Sequence, residues 1–504
     1  MKFLKIGIGW KIRKLPGFSG VICAIAALSL LFGVTPLSFA GKPAKNAVKG
    51  VTLKDVNFTG SRQGHSVGFV DVDGDGSDDK LVGAPYASVS ARPGAVLVYR
   101  GSASGGFSAT PAMILTGDDN YGFSLANLGD ADGDGKDDFA VGALNGDGAD
   151  VSLSGSVTVY QGGRNGNYGQ GDLQRSRRAG GQGRQRHARE GGKVIAKLAG
   201  EGPMDKFGVF VTAGDLNNDG LQDLIVGAPF HTEDPAVYQG GAVYVFFAPG
   251  FTDQVALPAT SVNKGLGWSA ATGDINGDGI ADLCLSASGK VLCYYGADDF
   301  APATDSPEVT IKSASKGFGR ALAVGDVSGD GVGDIAIGAP NAVIDGDRDT
   351  GSLYVVQGGP GLTTVSVDGP SPELLARIDG AALFDRFGAA IAAVDDGEGG
   401  EAAALVVGAP MADLDLLHHL TGKVYVFSGA ELSDATTLKD ATVFAGFTRN
   451  QGFGAALAAD DSSRLLCGAP RTDRDTGWVS MVDLVTGEPV PGGSSGGATA
   501  SAGY

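Results

Sequence analysis

An all-β fold, a ring of four-stranded blades, is what this 504-residue sequence predicts on three observations. A nine-residue acidic pattern occurs five times in fixed register, over residues 71–79, 130–138, 215–223, 274–282 and 326–334, each copy followed by a short β-branched run. A Gly-Ala-Pro triplet or its relic then follows, at Gly83, Gly142, Gly227, Ser286 and Gly338, and again at Gly408 and Gly468. Aromatic-glycine pairs precede the acidic loops at Phe207-Gly208, Phe318-Gly319, Phe387-Gly388 and Phe453-Gly454, with Tyr121-Gly122 and Leu266-Gly267 as variants. A period of about sixty residues split into four short strands fits propeller blades rather than helical solenoids, whose repeats are shorter and read at 3.6. Seven triplet markers therefore predict a seven-bladed β-propeller with the acidic loops between the first and second strands of its blades.

The acidic loops are calcium loops by their chemistry. Oxygen-bearing side chains stand at positions 1, 3, 5 and 9: Asp71, Asp73, Asp75, Asp79; Asp130, Asp132, Asp134, Asp138; Asp215, Asn217, Asp219, Asp223; Asp274, Asn276, Asp278, Asp282; and Asp326, Ser328, Asp330, Asp334. Position 6 is always glycine, which permits the sharp reversal, and Ca²⁺ takes six to eight hard oxygens at about 2.3–2.6 Å. Clustered carboxylates without a cation repel one another, so about five Ca²⁺ ions are expected. The loops differ from EF-hands: position 12 is Val82, Val141, Val226, Leu285 or Ile337, where an EF-hand needs a bidentate Glu. Two later loops have decayed. Residues 396–404 keep only two acids at ligand positions, and in 461–464 Arg464 stands where position 9 belongs, so no tight metal is expected there.

From the start of the chain, Lys2, Lys5, Lys11, Arg13 and Lys14 precede an apolar run over 18–34 and the small residues Ser38-Phe39-Ala40, so residues 1–40 read as an export signal or an uncleaved anchor. Nothing later is a membrane-span candidate. The propeller is expected over 50–485. Residues 51–58 read as a spare strand that completes the seventh blade and pairs its open edge, because 478–483 supplies only that blade's third strand. Residues 164–192 are foreign to the pattern. They carry seven arginines and His187, and read as a basic insertion, a reduced blade or a shifted reading frame. Residues 486–504 read as a flexible Gly/Ser-rich tail.

A formal charge of −19, from 57 acidic against 38 basic residues, excludes a duplex nucleic-acid binder, which needs clustered Lys and Arg. Cys23 lies within the leader. Cys284 and Cys467 take buried apolar positions of neighbouring repeats, and a Cys284–Cys293 bridge across one hairpin is open.

With these motifs in hand, the chain resembles the FG-GAP repeat family, known from the seven-bladed propeller at the head of integrin α subunits and from secreted bacterial proteins. The resemblance implies calcium in the five acidic loops as a structural element, and a ligand face at the opposite end. That face comprises the loops 86–94, 145–155, 230–241, 341–351, 411–422 and 471–477, which bring Glu233, Asp234, Asp345, Asp347, Asp349, Asp413, Asp415, Asp473 and Asp475. The leg domains and cysteine framework of integrin α subunits have no counterpart here.

The expected function is a secreted or envelope-associated binding propeller, in cell-surface recognition or adhesion, for a protein or glycan ligand. The alternatives are a hydrolase or phospholipase-like enzyme on a propeller scaffold, and a purely structural envelope protein. Against an enzyme, the sequence has neither a Gly-x-Ser-x-Gly elbow nor a His-Glu-x-x-His motif. Its five histidines, His65, His187, His231, His418 and His419, assemble no recognisable site; His231, His418 and His419 are placed on outer loops, the last two as a solvent-facing pair.

Overall fold

The computed structural model describes residues 46–47, 60–89, 92–117, 119–146, 153–163, 194–394, 403–413, 420–429, 432–433, 435–446, 450–460, 463–471 and 477–484. The leader, the 51–58 strand, the 164–192 passage, the tail, His187 and His418-His419 lie outside them. Among the described residues no helix is long and apolar enough to cross a membrane.

The strands form successive antiparallel meanders, and the fold is an all-β propeller. Val67–Val70, Asp79–Val89, Arg92–Tyr99 and Met113–Thr116 make the first. Tyr121–Gly129, Asp138–Ala143, Ser156–Tyr160 and Val194–Ala199 make the next, joined to the first through a parallel bridge between Gly94 and Tyr121. Then come Val211–Gly214, Asp223–Ala228, Ala242–Phe246 and Gln254–Pro258, followed by Ala270–Gly273, Asp282–Ala287, Lys290–Tyr294 and Val309–Lys312. Ala321–Gly325, Asp334–Ala339, Ser352–Val356 and Leu374–Asp379 precede Ala390–Val394, Ala404–Ala409, Lys423–Phe427 and Thr442–Ala445. The last sheet holds Ala456–Ala459, Arg464–Gly468 and Val479–Asp483.

Two edge pairings were not legible in the sequence. Thr364–Ser366 adds in parallel to Val309–Lys312, and Asn46–Ala47 adds in parallel to Thr442–Ala445. Both lie beside the outermost strand of a meander, where unpaired N–H and C=O groups are available.

The core lies between meanders rather than within them. Second strands such as Asp223–Ala228 and Asp334–Ala339 are buried along their whole length, with both faces covered. Alternation then feeds two neighbours at once: Leu224 and Val226 join the cluster shared with the preceding meander, and Ile225 joins the cluster shared with the next. The last sheet meets the first in the same way, through Leu466, Val479 and Met481 against Val67, Phe69 and Val82. Gln63 completes that junction in a parallel bridge to Gly477.

The triplets meet the glycines of the aromatic-glycine pairs at the junctions, and Gly64 where the last sheet meets the first. A Cβ on Gly338 would stand 2.1 Å from the Gly388 carbonyl oxygen, and one on Gly408 or Gly468 would stand 2.1 Å from that of Gly454 or Gly64. The glycine that opens each of these three triplets is thus required for the backbone of one meander to touch the next. The aromatic partners fill the space beside that contact: Phe207 and Phe387 are 1% exposed, and Phe453 is fully buried.

Cys284 and Cys293 face each other in adjacent strands and form a disulfide, which decides the pairing that the sequence leaves open. Cys467 is a free, buried thiol, its pKa pushed up by burial.

Candidate metal centres

Each acidic loop runs from the end of a first strand to the start of a second, and its position-9 aspartate opens the second strand. In all five loops the position-1 carboxylate ties down the reversal by accepting backbone N–H groups. Asp71 accepts from Gly74, Asp75 and Gly76 at 2.9, 3.1 and 2.8 Å. The same grip recurs at Asp130 from Asp134 and Gly135, at Asp215 from Asp219 and Gly220, at Asp274 from Gly277 and Gly279, and at Asp326 from Gly329 and Gly331. The position-6 glycines hold φ between +84° and +88°, a left-handed conformation costly for any residue with a Cβ.

At the base of the loops stand the position-9 carboxylates, each held by a backbone N–H from the far side of the sheet: Asp79 by Gly101 at 2.7 Å, Asp138 by Gly162 at 2.9 Å, Asp223 by Ala248 at 3.1 Å, Asp282 by Gly296 at 2.8 Å and Asp334 by Gly358 at 2.9 Å. Burial, reinforced by the neighbouring loop aspartates, pushes Asp79, Asp138 and Asp282 up to about 7 and Asp223 up to about 6. Asp334 rises for the same reasons. A divalent cation at the centre would reverse this by favouring the ionised form.

The donor chemistry fits a hard cation. Carboxylate oxygens of Asp71, Asp73 and Asp75 lie within 4.8 Å of one another, as do those of Asp130, Asp132 and Asp138. Oδ1 of Asp73 and Oδ2 of Asp79 are buried without a hydrogen-bond partner, a costly arrangement that an ion would relieve. Asn217 and Asn276 turn side-chain carbonyls toward the backbone N–H groups of Asp219 and Asp278, and each pairs through its amide with the same residue's carboxylate. Protein cations stand in two of the loops: in the first the Arg100 guanidinium contacts Asp73 and stands 3.8 Å from Asp79, two ligand positions at once, and in the second Lys136 Nζ lies 2.5 Å from Asp134.

The last loop shows how a protein cation can take an ion's place. Asp460 occupies position 1, and the turn is shortened so that Arg464 opens the second strand. The Arg464 guanidinium pairs with Asp460, reaches Asp78 of the first loop at 3.0 Å, and lies over the rings of Phe69 and Phe107. Arg464 thus links the last sheet to the first as well as standing where an ion would be repelled. Replacing Arg464 by Met should cost about 3 kcal/mol, because it removes the guanidinium that balances the charge of the 3%-exposed Asp460 carboxylate. Urea unfolding of Arg464→Met, alone and with Asp460→Asn, checks this; the second substitution should restore most of the loss.

Two of the five histidines are described. His65 is held by the Phe123 carbonyl at 3.1 Å, packs at a tilt against the Phe123 ring, and is pushed down to about 4 by burial, so it is neutral packing. His231 does lie in an outer loop, yet it is 5% exposed and bonded to Asp205. Its burial is invisible in the sequence because Asp205 comes from a different connection.

Fold and loops together define a β-propeller with acidic turns at the ends of its first strands. The chain carries FG-GAP repeats: the FG-GAP repeat model matches residues 207–246, 266–296 and 318–356. It is 34% identical to integrin alpha-PS5 of Drosophila melanogaster over 169 residues, 30% of this chain and 17% of that protein. Over 258 residues it is 31% identical to integrin alpha-5 of Xenopus laevis, covering 48% of this chain and 22% of the relative. It is also 32% identical over 163 residues to phosphatidylinositol-glycan-specific phospholipase D of Rattus norvegicus, covering 28% of this chain and 19% of that protein. The matches therefore span less than a quarter of each of these relatives.

Proposed function

We propose that this chain is a calcium-stabilised, seven-bladed binding propeller, secreted or held at the cell envelope, which recognises a protein or glycan through the face opposite its acidic loops. Five Ca²⁺ ions in loops 71–79, 130–138, 215–223, 274–282 and 326–334 stiffen one face, and the other face is left to bind. The role is non-catalytic. Similarity to integrin α subunits supports recognition.

One observation carries this reading. In an antiparallel meander the connections between second and third strands, and the crossings to the next meander, lie at the end opposite the first loop. Among the described residues, seven of the eight exposed large apolar side chains fall in those connections: Leu153, Tyr238 and Val343 lie between second and third strands, and Met204, Val262, Leu383 and Phe384 lie in the crossings. The eighth, Tyr86, lies in the irregular end of the second strand Asp79–Val89, where the register to the third strand shifts between Ala84 and Ser88. None lies in an acidic loop. Apolar side chains gathered on one end within a polar surround mark an interaction face, where aromatics act as anchors.

Capture of the purified protein on arrays of glycans and extracellular proteins, in millimolar calcium, tests the reading. Tyr238→Ser combined with Phe384→Ser should lower capture about tenfold at an unchanged melting temperature, the loss of one or two aromatic anchors. Capture indifferent to both substitutions would remove this face from the function.

A further inference from the structure

We propose a second, separate metal site on the face opposite the acidic loops, built for a zinc-class transition ion by Glu201, His231 and Glu233. Two connections supply it. Glu201 and Asp205 lie in the crossing after Val194–Ala199, and His231 and Glu233 in the loop after Asp223–Ala228.

His231 is fixed and aimed. Its ring is 5% exposed, packs edge-on to Tyr244 with centroids 6.0 Å apart, and shares its Nδ1 proton with Asp205 Oδ2 at 2.9 Å. Asp205 is itself 3% exposed, and its backbone carbonyl accepts the Phe230 N–H, one residue from the histidine. That carboxylate–histidine pair sets the tautomer that leaves the Nε2 lone pair for an ion, and such a carboxylate also raises ligand basicity. Nε2 faces outward, toward the two glutamates.

The spacing fits a small tetrahedral ion. Two ligand atoms each about 2.05 Å from a tetrahedral zinc stand about 3.3–3.4 Å apart. His231 Nε2 and Glu233 Oε2 are 3.4 Å apart, and a carboxylate oxygen of Glu201, one of Glu233 and a ring nitrogen of His231 lie within 4.8 Å of one another. Both glutamates are exposed, and among the described residues no lysine or arginine pairs with either. A buried nitrogen ligand with two carboxylates suits zinc better than Ca²⁺, which prefers an all-oxygen shell of six to eight ligands. Three protein ligands leave the fourth position open to water or to an anionic group of a partner.

The comparable crossing later in the chain shows that the histidine is not required for packing. Asp385 repeats Asp205, buried ahead of Phe387 as Asp205 is ahead of Phe207, and its carbonyl accepts the Met411 N–H as that of Asp205 accepts the Phe230 N–H. The residue that follows there is Ala412, so Asp385 has no imidazole to orient.

Zinc binding to the purified protein in millimolar calcium, which fills the loop sites, tests the proposal. One equivalent should bind, and Co²⁺ at the same site should give the visible bands of a tetrahedral centre. Glu201→Gln with Glu233→Gln, at exposed positions that leave folding intact, should weaken zinc about 100-fold or more. Asp205→Asn should weaken it about 10- to 100-fold while keeping all three ligands. His418→Gln with His419→Gln should leave it unchanged. No zinc retained in excess calcium, or zinc binding unaffected by the paired glutamate substitution, would overturn the site; loss only in the His418/His419 variant would move it elsewhere.

Discussion

Removing calcium from the purified protein should lower its melting temperature by about 15–20 °C. Each loop that binds an ion only when folded adds about 2.7 kcal/mol when free calcium stands at 100 times its dissociation constant, so five loops sum to well above 10 kcal/mol. In a chain of this size each kcal/mol shifts the midpoint by about 1.1–1.5 °C. Elemental analysis before chelation should count about five ions, and titrating calcium back should fill loop 71–79 last, because the Arg100 guanidinium already contacts Asp73 there. Chelation should also change the response to pH. Asp79, Asp138 and Asp282 at about 7, and Asp223 at about 6, lie above the ordinary carboxylate value, so the folded apo protein binds protons that the unfolded chain releases. From these groups stability is fully present below the unfolded value near 4 and is lost as pH rises through 6 to 7. The chelated protein should therefore melt higher at pH 5.5 than at pH 8, whereas the calcium-loaded protein should melt lower. Absence of bound calcium, with identical melting before and after chelation, would remove the ions from the scaffold.

Much of the fold was legible in the sequence because repetition averages out local ambiguity. One copy of Asp-x-Asp-x-Asp-Gly is an ordinary turn, while five in register with Gly-Ala-Pro fix the strand that follows, and the second strands open at Asp79, Asp138, Asp223, Asp282 and Asp334 as that register requires. The reason for the glycines was only half legible. The positions of Gly338 and Gly388 in the sequence do not say that one touches the other's carbonyl across a junction. What the sequence hid most fully was chemistry assembled between connections. His231 and Asp205 are 26 residues apart and meet only because a crossing folds over the neighbouring loop. Arg464 looked like a residue that merely spoils a site, whereas its partner Asp78 lies 386 residues away in sequence.

The glycine junctions give the second large effect and a test of how the ring closes. Gly338→Ala should destabilise the protein by about 3 kcal/mol, at the upper end of the ordinary cost of overpacking, because the added carbon meets a backbone oxygen at 2.1 Å and neither sheet can yield alone. The chain contains its own control in Ser286, which stands where the other triplets begin with glycine. There the facing junction is wider: a Cβ at Gly319 would meet the Lys290 carbonyl at 3.5 Å, whereas at Gly388 the corresponding Ser352 carbonyl is 2.8 Å away. Ser286→Ala, which keeps the Cβ and removes only the hydroxyl that accepts the Ser269 N–H at 3.0 Å, should cost about 1 kcal/mol. Gly468→Ala carries the contact between the last sheet and the first, with Gly64 as its partner at the same 2.1 Å. If the ring closes through the contact that joins its other blades, Gly468→Ala must cost as much as Gly338→Ala in urea unfolding. A harmless Gly468→Ala beside a damaging Gly338→Ala would mean that the last sheet docks loosely, and that closure depends on Arg464 and the apolar contacts of Val479 and Met481 instead.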